Sequence, residues 1–105
     1  HFAVALKYEV GSVGAPMILA MGRGHQAQDI IEVGKGAGVT VFRNELLARA
    51  LFFAGIVGEE IPGPLFPAVA AVLAFIYRLN KDEDVDEPDV DLPDEMQFDE
   101  NGRQI

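Results

Sequence analysis

A chain of 105 residues that is 50% hydrophobic and lacks cysteine is sized for one domain with a small core, and it can form neither a disulfide framework nor a thiolate metal site. Its net charge of -9 comes from one end: residues 1–80 hold six acidic and six basic side chains, whereas residues 81–105 hold 11 acids against Lys81 and Arg103. A neutral body with an acidic end offers phosphates no attractive field, which argues against a nucleic-acid partner.

In chain order, "HFAVALKYEV" alternates, with Phe2, Val4, Leu6 and Tyr8 on one side and Ala3, Ala5, Lys7 and Glu9 on the other. This predicts a half-buried strand over residues 2–9. After the turn "GSVG", the continuous apolar run "APMILAM" over residues 15–21 predicts a strand covered on both faces. Ala27, Ile30, Ile31 and Gly34 then recur at helical spacing, with Gly36 and Gly38 as the stop. "VTVF", residues 39–42, reads as a third strand, parallel to the second because strand, helix and strand in succession make a right-handed crossover. Asn44 is placed to cap a helix reaching about Ala54, with Leu47, Ala50, Leu51 and Ala54 inward. "IVGEEIPGP" reads as a loop, and Pro64 suits the first turn of a last helix that ends near Leu79.

These elements predict an α/β domain over residues 1–80: a small mixed sheet, three strands from this chain, with helices on both faces. The first strand would leave a long apolar edge open. A fourth strand is therefore expected from a segment upstream of His1. Residues 81–105 carry two prolines, few large apolar groups and strong self-repulsion, which predicts a mostly disordered acidic tail. Within it, Leu92, Met96 and Phe98 of "LPDEMQF" form either a short docking segment or a sticky spot in a coil. The longest apolar run, "LFPAVAAVLAFIY", has 13 residues against the roughly 18 a membrane span requires, and reads as a buried helix.

Candidate chemistry is thin. Gly22 and Gly24 follow a strand and open a helix, where backbone N–H groups can hold an anion. The spacing matches neither a dinucleotide fingerprint nor a phosphate loop, and a tight turn explains both glycines. His25 has no dyad partner in its local sequence, and adjacent Glu59 and Glu60 point apart. The tail acids lack the spacing and central glycine of a calcium loop, so neither a metal nor a cofactor is expected. Surfaces are more informative. The last helix is apolar nearly all round, with Leu65, Val69, Val72, Leu73, Ile76 and Leu79 on one broad face and Ala68, Ala70, Ala71 and Ala74 elsewhere, so part of it is available to a partner or to close packing.

Taken together, "HFAVALKYE", "GAP", "LLARAL" and "GEEIPGPLFPAVAAVLAFIYRL" resemble the cytoplasmic domain of the FlhB/YscU family, the export-switch component of flagellar and virulence type III secretion systems. The likeness runs from His1 to about Leu79, and "DLPDEMQFDENG" is similar to the acidic, proline-containing end of the flagellar members. The resemblance implies a membrane-anchored parent at the cytoplasmic face of the bacterial inner membrane. It also implies a cytoplasmic domain that cuts its own backbone within an Asn-Pro-Thr-His loop. His1 falls on the final histidine of that loop; the asparagine and proline are not in this sequence, so the chain as given carries no self-cleavage chemistry. The implied partners are rod and hook export substrates, other export-gate components and the upstream half of the same protein, with no small-molecule substrate. The implied substrate patch matches Ala15, Pro16, Ala70 and Leu73. Departures fall at Glu45 and Leu46, where relatives often have prolines, and at Met21, where a lysine is common. A stand-alone homologue or a protein of the injectisome branch is the alternative.

Overall fold

The structure, a computed structural model, describes residues 1–9, 11 and 14–105. The turn expected at "GSVG" falls partly outside the described residues. Strands β1 (Phe2–Lys7) and β2 (Met17–Arg23) pair antiparallel, from Phe2 opposite Arg23 to Lys7 opposite Met17. The register slips between Ala5, opposite Ala20, and Leu6, opposite Ile18, so Leu19 is an extra residue on β2. That bulge explains how a run without periodicity serves two faces. Residues directly opposite share a face, so Val4 and Leu6 share theirs with Met21 and Ile18, three positions apart on β2.

The Phe2, Val4 and Leu6 face packs on helix α2 (Glu45–Ala54): Phe2 meets the rings of Phe52 and Phe53 edge-on at 5.0 and 5.4 Å, and Val4 and Leu6 join the main core. The other face is built from Ala3, Ala5, Ala20 and Gly22. Its small side chains admit helix α1 (His25–Gly36), which packs on both strands and buries Ala27.

Asn44 caps α2 as its sequence position predicts, its side-chain oxygen accepting the Leu47 N–H at 3.0 Å. Leu47, Ala50 and Leu51 of α2 are buried. Pro64 lies in a 3-10 turn, Gly63–Leu65, that leads into helix α3 (Phe66–Leu79). Ile18, Leu65 and Val69 are fully enclosed at the centre of the core.

Two expectations are revised. Residues 39–42 join no strand, so among the described residues the sheet has two strands and the parallel third is absent. The outer edge of β2 is instead taken by the connection between α2 and α3. There the Ile61 N–H donates to Pro16 O at 2.9 Å, the Ile18 N–H to Glu59 O at 2.9 Å and the Gly58 N–H to Ile18 O at 2.8 Å. Pairing needs only backbone groups, which this loop supplies despite its glycines and prolines.

The acidic end also differs from the solvated coil expected of its composition. Leu92 is 5% exposed within the core cluster, and Val90, Met96 and Phe98 pack against it. Beyond them a small hairpin closes through the Asp99 N–H to Arg103 O at 2.8 Å and the Ile105 N–H to Gln97 O at 2.9 Å. The apolar side chains, spaced among the acids, provide the burial that anchors this segment.

Candidate docking surface

The four patch residues come from two elements that converge on one core. Ala15 and Leu73 are half-buried and both pack against the central cluster. Pro16 is buried, and its carbonyl is fixed by the Ile61 N–H, so it sets the course of the chain more than it offers contact area. Ala70 stands exposed on α3, one turn from Leu73.

Sequence reasoning missed the apolar side chains next to this region. Met17, immediately after Pro16, is 41% exposed and bridges backbone to backbone with Glu60. Ile56 and Val57 of the α2–α3 connection are 57% and 51% exposed. The signal was the apolar pair at the head of "IVGEEIPGP", which no helical or strand period flags. Together these residues offer apolar surface, with Lys7 opposite Met17 across the strand pair and Glu60 bridged to it.

The small-anion alternative at the start of α1 gains nothing from its geometry. A Cβ on Gly22 would lie 2.7 Å from the Gln26 Cβ, and Gly24 sits at φ +62, so both glycines are required by the strand-to-helix turn itself. His25 is exposed at the first position of the helix. His1 is exposed, and its carbonyl accepts the Gly24 N–H at 3.0 Å, which extends the β1–β2 pairing by one step.

On the far side of α2, Arg49 links body and tail. Its Nε donates to Phe98 O at 2.8 Å, and its guanidinium lies 3.8 Å from the Glu45 carboxylate. Phe98 also meets Phe53, with ring centroids 5.8 Å apart. Asp99 turns the hairpin, its Oδ1 accepting the N–H groups of Asn101 and Arg103 at 2.9 Å each. The Arg103 N–H above all holds this carboxyl below its ordinary value of 3.8.

The fold is that of the cytoplasmic domains of type III export-switch proteins. The crystal structure of the cytoplasmic domain of FlhB from Shewanella putrefaciens superposes with a TM-score of 0.80 and 32% identity, covering 98% of this chain and 84% of that one. A cover that wide includes the acidic end. The PscU C-terminal domain superposes with a TM-score of 0.68 and 29% identity, covering 72% of this chain and 96% of that one. The flagellar biosynthetic protein FlhB of Escherichia coli K12 is 40% identical over 81 residues, 77% of this chain and 21% of its own length. Residues 1–76 match the family described as FlhB HrpN YscU SpaS, and the chain belongs to that family. It spans about a fifth of the length of the curated relatives it matches, 21% of the Escherichia coli protein and 23% of the Aquifex aeolicus protein. No helix among the described residues is long and apolar enough to cross a membrane.

Proposed function

We propose that this chain is the substrate-docking module of a flagellar type III export component, the parent protein standing at the cytoplasmic face of the bacterial inner membrane. The module receives rod and hook proteins through Ala15, Pro16, Ala70 and Leu73 and contacts other export-gate components. Substrate switching follows self-cleavage in an Asn-Pro-Thr-His loop that ends at His1. The upstream half of the same protein supplies a strand beside β1, whose other edge carries no partner strand among the described residues.

The observation that carries this reading is the cover of 98% of the chain by a flagellar FlhB cytoplasmic domain, against 72% for the PscU domain. The exposure of Ala70 and the partial exposure of Ala15 and Leu73 support a docking role, because each is accessible to a partner. A patch of this size gives weak, transient binding, as serial recognition of many substrates requires.

Leu73→Asp places a charge on that patch at a partly exposed position at the edge of the core. Rod and hook protein export is expected to fall at least tenfold while the purified variant keeps its circular dichroism spectrum. Undiminished export by the folded variant rejects the patch.

A further inference from the structure

The end of the chain holds a reactive pair that the docking surface does not use. Residues 99–102, "DENG", turn the terminal hairpin. The Gly102 N–H donates to Asp99 O at 3.1 Å, as in a type I turn, and Gly102 itself lies in the left-handed region at φ +82. The loop rests on the body, since a Cβ on Gly102 would lie 2.8 Å from the Phe53 ring. Asn101 is exposed, and among the described residues no hydrogen bond holds its side-chain amide.

An asparagine that precedes glycine is open to attack by its neighbour's backbone nitrogen, because glycine has no Cβ to shield that nitrogen or to restrict its approach. Once the Gly102 nitrogen has given its proton to hydroxide, it bonds to Asn101 Cγ. The Cγ–Nδ2 bond then breaks, and ammonia leaves with a proton taken from water. A second water opens the resulting five-membered imide. Opening at Cγ gives an aspartyl residue, whereas opening at the α-carbonyl gives an isoaspartyl residue whose main chain runs through Cγ and is longer by one methylene. Water enters, ammonia leaves, and nothing is oxidised or reduced.

In the closed turn the attacking nitrogen is occupied, its N–H held by Asp99 O. The turn is in turn held by the docking of the acidic end, through buried Leu92, the Arg49 bond to Phe98 O and the contact of Phe98 with Phe53. We propose that Asn101 is a site of spontaneous deamidation gated by this docking, and that its isoaspartyl product makes release of the acidic end permanent. The added methylene falls inside the loop spanned by the bond from the Arg103 N–H to Asp99 Oδ1 at 2.9 Å, directly above a ring that leaves no room for a Cβ at Gly102. The aspartyl product keeps the loop length and docks again. Local opening at a chain end therefore sets the rate, and the isoaspartyl form accumulates with the time the end spends undocked.

The test incubates the full 105-residue chain in mildly alkaline buffer and follows intact mass, released ammonia and peptide maps that separate aspartyl from isoaspartyl forms. Conversion is expected at Asn101, roughly tenfold faster in Leu92→Ala, whose docking contact is truncated. Should Leu92→Ala fail to fold, Arg49→Ala, which removes the bond to Phe98 O, is expected to speed the reaction at least threefold. In the isoaspartyl form the Ile105 amide, bonded to Gln97 O in the closed hairpin, is expected to lose its protection from hydrogen exchange while the α2 amides keep theirs. Asn101→Asp, which carries the charge without the extra methylene, is expected to retain protection at Ile105. The proposal is overturned by absence of conversion at Asn101, by equal rates in the natural chain and the folded variants, or by an isoaspartyl form that keeps Ile105 protected.

Discussion

Gly22 shows how one missing side chain sets the geometry of the α1 layer. A Cβ there would meet the Gln26 Cβ at 2.7 Å and its carbonyl carbon at 3.1 Å, so the first turn of α1 rests directly on the strand backbone. Gly22→Ala forces that turn outward and is expected to cost about 1–3 kcal/mol, read as a lower urea midpoint; an unchanged midpoint would contradict the close approach. Asp99 acts at the same scale on the tail. Its folded-state carboxyl titrates below 3.8, so the hairpin gains from the ionised form above that value and loses this contribution as pH falls through the lower folded value. Acid titration followed by NMR should show the amides of Asn101 and Arg103 moving together below the ordinary carboxylate range. In Asp99→Asn that shared transition is expected to vanish.

Among the elements, α2 and α3 were legible because their signals are local. Asn44, three positions before Leu47, caps α2 by accepting the Leu47 N–H, and the run through Leu79 keeps a helical period. The bulge at Leu19 was not legible, since a continuous apolar run has no phase to shift. "VTVF" has the composition of a strand, but whether a strand finds a partner is decided by the whole fold, and here β2's edge is bonded to the α2–α3 connection. The acidic end misled for a related reason: its charge density conceals the spacing of Val90, Leu92, Met96 and Phe98, which pack against the core. Leu92 is the deepest of these at 5% exposure. Leu92→Ala is therefore expected to weaken tail docking by about 2–3 kcal/mol, seen as faster hydrogen exchange at the Ile105 amide while the α2 amides stay protected. Equal loss of protection in both would make the tail part of the global core. The four residues of the candidate patch were picked out through family likeness, although the nearly all-round apolar character of the last helix had already marked the element that carries Ala70 and Leu73. The exposed apolar groups beside it, Met17, Ile56 and Val57, became visible with the fold.

Across the whole molecule, one small core carries the arrangement. The sheet is covered by α1 on its small-residue face and by α2 on its large-residue face, and the acidic end closes over the core from the side of Arg49 and Phe53. This architecture leaves apolar surface at the start of β2, beside Lys7 and Glu60, and along α3, an arrangement suited to receiving short peptide segments. The central claim is that this surface receives early export substrates. It is tested most directly by titrating the isotope-labelled chain with a purified hook or rod protein and following amide shifts, for the natural sequence and for Ala70→Asp. The account predicts saturable shifts clustered at residues 15–17 and 70–73, with affinity reduced at least tenfold in the folded variant. Shifts located elsewhere, or equal affinity for both chains, would contradict it.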